Sequence, residues 1–264
     1  MKLPIATIDS FTDSPFSGNP AAVMLLKEPL PDEKMQAIAM EMNLSETAFV
    51  LKTKEPNVFS LRWFTPTLEI DLCGHATLAS AFWMIKSGWV NPDMMMTFQT
   101  LSGNLHVKGK GDLLEMNFPL IPTFSEVHPF FQTEFMGKKI IHSSQLNKNW
   151  IFELEDAEEV EDCNPDLPLI AANSEEGIII TAKGKAPFDI YSRFFGPNVG
   201  VNEDPVTGFA HCALMDYWYQ KSGKMKLKAY QASKRGGEIE LEKHDDRVLI
   251  KGRAVAVFDG VIEI

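Results

Sequence analysis

Hydrophobic and polar residues recur along the chain with two periods, and each period predicts one type of element. Alternation over residues 3–11 and an apolar run over 21–26 predict two buried strands, with turn residues between them. From Pro31 to about Met42 the apolar residues recur on one face, which predicts a helix. Another apolar run over 46–51 predicts a third strand, so the chain opens with mixed strands and helices.

A larger pattern occurs twice, once in each half of the chain. Both copies have an arginine followed by two aromatic residues, then a loop, a helix that begins at a glycine, a strand and a hairpin. The first copy occupies residues 62–66, 74–83, 98–100 and 102–105, and the second occupies 193–197, 208–218, 230–232 and 236–239. Four features in one order predict two topologically equivalent domains.

Prolines concentrate between the two copies, at Pro119, Pro122 and Pro129. Clustered prolines interrupt regular structure and are typical of a connector, so we place the domain boundary within residues 119–135. We assign residues 1–119 to an amino-terminal domain and 120–264 to a carboxyl-terminal domain, with the terminal strand free to cross over. Small-molecule sites often lie between domains, and we expect this site there.

Composition and charge narrow the classes of partner. The 264 residues are 45% hydrophobic and 23% charged, which is typical of a folded globular protein. A net charge of -11 without a dense basic cluster argues against a nucleic-acid partner. Three cysteines make no disulfide framework, and no secretory signal or membrane-length apolar run is present. We therefore expect a cytoplasmic protein with no membrane partner.

Gly74 and Gly208 begin the two predicted central helices. The first N–H groups of a helix are free and carry partial positive charge, so two such ends suit a carboxylate ligand. Thr207 is a candidate N-cap of the second helix. The simpler alternative is that both glycines only permit tight helix starts, but their repetition favours a binding role. We therefore expect a small carboxylate as the partner.

Three ionisable residues stand where proton transfer is useful. Glu46 lies at the start of an otherwise apolar strand and is a candidate general acid or base; the alternative is an exposed strand-end glutamate. Asp204 precedes the second helix start, and it either faces a ligand or closes a turn. His75 follows Gly74 and is a candidate hydrogen-bond donor or proton relay.

Common cofactor motifs are absent from the sequence. Glycines at positions 109 and 111 lack the rest of a phosphate-binding fingerprint and predict a hairpin turn, so we expect no nucleotide cofactor. No Gly-x-Ser-x-Gly motif is present, which removes the commonest type of hydrolase. Cys73 is a candidate thiolate or metal ligand, but the other cysteines and histidines lack metal-site spacing. We predict no metal and treat Cys73 as a small buried residue.

Several motifs, taken in order, resemble the phenazine-biosynthesis isomerase family, the PhzF-like proteins, over essentially the whole chain. They lie at residues 11–13, 18–20, 44–47, 73–77 and 203–208. The resemblance implies an α/β (α+β) fold of the diaminopimelate-epimerase-like type. Each of two topologically similar domains would wrap a mixed β-sheet around a central α-helix. The resemblance also implies a cofactor-independent isomerase that forms a homodimer.

The resemblance further implies roles for individual residues. Glu46 would take a proton from a small cyclic carboxylic acid and return it at another position of the same molecule. His75 and Asp204 would lie beside Glu46 as further catalytic residues. The substrate pocket would be lined by Asn19, Ser45, Gly74, Gly208 and Phe209.

Phe209 departs from the family pattern, which typically has serine or another small residue after this Thr-Gly pair. A non-catalytic small-molecule-binding or protein-interaction protein of the same fold is therefore one alternative. A thiol-dependent epimerase or racemase is another, since related epimerases use one cysteine in each half. Only Cys73 is suitably placed here, because Cys212 lies a full turn into the second helix, so two-thiol chemistry is disfavoured.

Overall fold

The computed structural model describes residues 1–264 and divides them into two units. The first unit comprises residues 1–117 together with 251–264, and the second comprises residues 118–250. The carboxyl-terminal strand thus belongs to the first unit, where it pairs antiparallel with the first strand of the chain. No helix has both the length and the apolar character needed to cross a membrane.

The elements up to the boundary follow the sequence pattern closely. In chain order they are β1 (Lys2–Ser10), β2 (Asn19–Leu26), α1 (Asp32–Met42), β3 (Glu46–Lys52), β4 (Val58–Phe64), β5 (Glu69–Ile70), α2 (Gly74–Lys86), β6 (Met96–Thr100), β7 (Gly103–Lys110) and β8 (Leu113–Pro119). The first strand ends one residue earlier than predicted, because Phe11 has a φ of 64°, which extended backbone excludes. The hairpin predicted around residues 109–112 joins β7 to β8.

The remaining elements continue the same numbering. They are β9 (Phe124–Ser125), β10 (Glu134–Phe135), β11 (Lys138–Lys139), β12 (His142–Leu146), β13 (Asn149–Glu153), α3 (Ala157–Glu161), α4 (Leu167–Asn173), β14 (Gly177–Lys183), β15 (Ile190–Gly196), β16 (Val201–Asp204), α5 (Gly208–Ser222), β17 (Lys226–Gln231), β18 (Gly237–His244), β19 (Arg247–Gly252) and β20 (Ala254–Glu263). A short 3-10 turn, Pro197–Val199, precedes β16.

Strand order is the same in the two units. In the first unit the pairing runs β20–β1–β2–β3–β4–β6–β7, and only the β2–β3 and β4–β6 pairs are parallel. In the second unit it runs β9–β12–β13–β14–β15–β17–β18, with parallel pairs at β13–β14 and β15–β17. The predicted α+β class, with two topologically similar domains built on mixed sheets, is confirmed.

The helix at the centre of each unit is apolar on nearly every side. Helix α2 packs against β1, β2, β3 and β20, and most of its residues are buried. Helix α5 is buried along most of its length and ends at Gly223, which has a left-handed φ of 71°. A helix that is hydrophobic all round is stable only inside a protein, which is why these two became central helices.

The opposite face of the first sheet is covered as well. Helix α1 packs its apolar face, including Ile38, against Met24 of β2 and Phe49 of β3. Because β2 is buried on both faces, its sequence is a continuous apolar run and does not alternate. The alternate residues of β2 and β3, which start with Asn19 and Glu46, therefore face α2.

Candidate active site

Glu46 is the first residue of β3 and faces the start of α2. Its backbone is held in register by the parallel pairing with Ala21 of β2. The side chain is 12% exposed, and the Oε2 atom is buried. No hydrogen bond joins this carboxylate to another residue, so a mostly desolvated acid keeps its hydrogen-bonding capacity for a further group.

His75 lies beside this carboxylate. It is the second residue of α2 and is 5% exposed. Its Nε2 atom lies 3.0 Å from Glu46 Oε2, which is the distance of an ion pair. Neither atom has a well-aligned hydrogen bond, so the pair interacts through charge proximity and not through a directional bond.

The other ring nitrogen of His75 is contacted by two buried side chains. Asn19 Nδ2 lies 3.2 Å from Nδ1, and Cys73 Sγ lies 3.5 Å from the same atom. Because an amide nitrogen only donates, Nδ1 is the acceptor in this arrangement. The neutral ring then carries its hydrogen on Nε2, the nitrogen that faces Glu46. An imidazolium would instead donate from Nδ1 to the sulfur of Cys73.

The backbone around the site is anchored by side-chain hydroxyl groups. Ser10 Oγ donates to the His75 carbonyl at 2.8 Å, and Thr77 Oγ1 donates to the Cys73 carbonyl at 2.5 Å. Gly18, just before Asn19, has a φ of 65°, and a Cβ there would lie 2.1 Å from the Ser10 carbonyl oxygen. Only glycine permits this close approach of the two segments that hold Asn19 and His75.

Burial and charge set the protonation states of the group. Burial, reinforced by the Glu46 charge, raises the pKa of the Cys73 thiol to about 11, so the thiol is protonated at neutral pH. Burial by itself lowers the pKa of His75, but its interactions with Cys73 and with the Glu46 carboxylate outweigh it and hold the pKa well above the usual 6.5. With the thiol neutral, the Glu46 carboxylate is the charge that supports an imidazolium.

We therefore expect the imidazole of His75 to titrate above pH 6.5, and Glu46→Gln to lower its pKa. A histidine whose pKa is raised by folding stabilises the fold below its unfolded pKa of about 6.5, and this contribution is lost as pH rises through the folded value. Imidazole chemical shifts measured against pH check both statements. His211 is the internal control, because burial lowers its pKa to about 4. A His75 pKa that is unchanged in Glu46→Gln would contradict the assignment.

Glu46, Cys73 and His75 also form a group of potential metal ligands. Their donor atoms lie within 4.8 Å of one another. Three protein ligands are typical of catalytic zinc sites, but a cysteine binds metal as the thiolate. Because burial raises the pKa of the Cys73 thiol, binding of a metal by all three residues would release a proton from Cys73.

Asp204 belongs to the second unit, where it closes the turn before α5. Its Oδ2 atom accepts a hydrogen bond from Thr207 Oγ1 at 2.6 Å. Gln231 completes the turn, since its Oε1 accepts from the Thr207 N–H at 2.8 Å and its Nε2 donates to the Asp204 carbonyl at 2.7 Å. Thr207 occupies the N-cap position as predicted, but its side chain makes no capping bond, because the hydroxyl is directed to Asp204.

The remaining predicted pocket residues have different surroundings. Ser45 and Gly74 lie beside Glu46 and His75 in sequence and are half-buried, whereas Gly208 is buried as the first residue of α5. Phe209 follows Gly208 and is half-buried. The structure therefore brings Glu46, His75 and Asn19 together in the first unit, and it places Asp204, Gly208 and Phe209 at the helix start of the second.

Residues 8–260 match the model of the family described as phenazine biosynthesis-like protein, PhzC-PhzF. The chain belongs to this family. An uncharacterized isomerase from Halalkalibacterium halodurans is 42% identical over 259 residues, covering 97% of each chain. The crystal structure of a phenazine biosynthesis protein of the PhzF family from Enterococcus faecalis is 39% identical. It superposes with a TM-score of 0.94 over 100% of both chains.

The fold extends to more distant epimerases. A hydroxyproline epimerase from Agrobacterium vitis superposes with a TM-score of 0.63 at 8% identity, over 99% of this chain and 92% of that one. This likeness concerns the fold alone, and it agrees with the diaminopimelate-epimerase-like architecture that the sequence predicts. Family membership together with full-length isomerase relatives makes the chain an isomerase of this family.

Proposed function

We propose that the protein is a cofactor-independent isomerase that moves a proton on a small cyclic carboxylic acid, with Glu46 as the acid and base. The observation that carries the proposal is the Glu46–His75 pair: a mostly buried carboxylate, without a hydrogen bond to another residue, 3.0 Å from an imidazole nitrogen. Active sites arrange burial and neighbouring charge in this way to prepare a group for proton transfer.

The reaction balances as a proton transfer in two steps. In the first step the Glu46 carboxylate takes a proton from a ring carbon, and the electron pair of that C–H bond moves into the conjugated system of the substrate. In the second step the carboxylic acid of Glu46 returns a proton to a different carbon, and the double bond shifts. No electron leaves the substrate, so the reaction as proposed needs no redox partner.

His75 would assist by stabilising charge on Glu46 and on the substrate. The Nε2–H group faces the carboxylate when the ring is neutral or charged. When Glu46 accepts the substrate proton it loses its negative charge, which weakens the attraction of that Nε2–H for the carboxylate. The same N–H then becomes available to the negative charge that develops on the substrate.

The start of α2 would hold the carboxylate of the substrate. Its N-cap residue, Cys73, makes no side-chain capping bond, so the first N–H groups of this helix of 13 residues have no cap. Free N–H groups at the positive end of the helix dipole bind carboxylates well. Because Gly74 begins the helix beside His75, this arrangement would position the substrate next to the proton-transfer pair.

The alternative of a thiol-dependent epimerase or racemase has little support in either unit. Cys73 is buried with a pKa near 11, and burial raises the pKa of Cys212 to about 12. A neutral thiol is a poor base, so neither sulfur is prepared to remove a proton. Iodoacetamide inactivation that Cys73→Ala abolishes would reinstate this alternative.

Turnover in deuterium oxide tests the proposed function. A panel of cyclic unsaturated carboxylates is incubated with the protein, and each product is analysed by mass spectrometry and NMR. We expect at least one member to gain deuterium from solvent at a ring carbon, because a proton held on Glu46 exchanges with water. Carboxylates that bind without exchange or conversion would instead favour the non-catalytic binding protein. The catalytic role of Asp204, the pocket role of Phe209 and the homodimer stay predictions of the family resemblance.

A further inference from the structure

A cavity lies in the first unit, at the other end of the elements that build the candidate active site. Its volume is about 540 Å³, within the range of roughly 300–1,000 Å³ that is typical of small-molecule sites. It is lined by the start of β1, by the segment that follows β2 and by the end of α2. Its walls are mainly apolar and include two tryptophans, Trp83 and Trp89.

The cavity is separate from the Glu46 site. Strand β2 begins at Asn19 and contributes Leu25 to the cavity, and six strand residues span roughly 20 Å. Helix α2 begins beside His75 and brings Ser87 to the cavity, and twelve helical residues span roughly 18 Å. The same strand and helix therefore have a candidate site at each end.

The apolar walls are well ordered by backbone contacts. Helix α2 closes with three bonds, from Ser87 N–H to Trp83 O, from Gly88 N–H to Ile85 O and from Trp89 N–H to Met84 O, each between 2.8 and 3.0 Å. Trp89 is fixed further by Lys52, whose Nζ lies 4.3 Å from the indole ring centroid. The cavity is therefore already formed before a ligand binds.

Polar groups of the lining are left available for a ligand. Two lysines, Lys2 and Lys27, line the cavity with one acidic residue, Glu28, and Glu263 of β20 lies opposite Lys2. The indole N–H groups of Trp83 and Trp89 make no hydrogen bond to another residue. Two ammonium groups beside apolar walls fit a molecule that has an apolar body and one anionic head group.

We propose that this cavity binds an amphipathic carboxylate, a carboxylic acid with an apolar body of medium length, at a site distinct from the Glu46 site. The apolar body would lie against Trp83, Leu25 and Leu30, and the carboxylate would lie at Lys2 and Lys27. Because α2 joins the two ends, a ligand here contacts the helix that carries His75 at its other end.

Binding of decanoate, with decanol as the uncharged probe of the same length, tests the proposal by titration calorimetry on the full chain. We expect saturable binding of one decanoate per chain. Reversing both charges with Lys2→Glu and Lys27→Glu should weaken decanoate binding at least tenfold and leave decanol binding almost unchanged. Lys108→Glu is the matched control, since Lys108 is an exposed lysine on β7, outside the cavity.

Two further variants separate this site from the other one. Ser87→Trp should fill the cavity and abolish binding of both probes, because Ser87 is an exposed lining residue outside the core. Glu46→Gln should retain decanoate binding, which keeps this test independent of the proposed catalysis. The proposal is wrong if decanoate does not bind saturably or if charge reversal leaves its affinity unchanged. A second result would also overturn it: the wild type is a dimer that binds no decanoate, and Ser87→Trp makes it monomeric. The cavity would then belong to a contact with a second copy.

Discussion

Replacing Glu46 with glutamine should slow solvent-deuterium exchange into the substrate by about 10²- to 10⁴-fold, the range that a single general acid or base contributes. The amide has the size of the carboxylate but accepts no proton at neutral pH, so the first step of the proposed reaction has no base. Substrate affinity should change much less, because the proposed carboxylate contact is made by the start of α2. Exchange rates measured by NMR, together with a binding titration, separate these two effects.

At a pH above the pKa of His75, where the imidazole is neutral and forms no ion pair with Glu46, the melting temperature of Glu46→Gln should stay close to that of the wild type. Glu41→Gln is the matched control: Glu41 is an exposed residue of α1, and its variant should keep the full exchange rate. Exchange at the wild-type rate in Glu46→Gln would remove Glu46 from the mechanism. A large fall in melting temperature would instead indicate a structural role for the carboxylate.

Local pattern predicted the elements of the site better than it predicted their contacts. The start of β3 at Glu46 and the start of α2 at Gly74 both agree with the sequence, because an apolar run and a helix-starting glycine are local features. The 3.0 Å contact of Glu46 with His75 depends on strand register and helix position together, which no local pattern encodes. Only the resemblance to a family suggested that these two side chains meet.

The sequence pattern also missed the residues that support the site from distant segments, because it does not encode contacts between such segments. Ser10 holds the His75 carbonyl across 65 positions, and Gln231 closes the turn at Thr207 across 24. Each is an ordinary strand residue by pattern. The repeat offered one indication for Gln231, since Gln99 holds the same place in the first copy. Gln99 is exposed, however, so the pattern alone does not distinguish a supporting residue from a surface residue.

The cavity at the end of α2 had no indication in the sequence. It forms where the ends of several elements meet, so its lining residues are scattered between Met1 and Trp89. Tryptophans near a helix end usually belong to the core, and two lysines near strand ends usually face solvent. Only their arrangement in the fold distinguishes a binding cavity from these ordinary roles.

The internal repeat places two arginines in equivalent positions, and we expect their loss to have unequal effects. Arg62 of β4 binds Glu69 through two parallel hydrogen bonds of 2.6 Å, and its side chain is 29% exposed. Arg193 of β15 binds Glu203 through two hydrogen bonds of 2.7 and 3.1 Å, and its side chain is 10% exposed. Arg193 also donates to the Cys163 carbonyl at 2.6 Å. The arginine–glutamate pair is therefore partly solvated in the first unit. In the second unit its arginine is buried and also binds the backbone.

Arg193→Met should lower the free energy of unfolding of the second unit by about 3–5 kcal/mol, because it leaves Glu203 and buried carbonyls without their donor. Arg62→Met should cost the first unit only about 1 kcal/mol, since Arg62 is itself 29% exposed and its second partner, Asp32, is 70% exposed. Hydrogen exchange of β4 and β15 amides measures each unit separately. Replacing Glu203 with leucine in the Arg193→Met background should recover part of the loss, because the carboxylate accounts for much of it. Equal losses in the two single variants would show that burial does not decide the strength of this repeated pair.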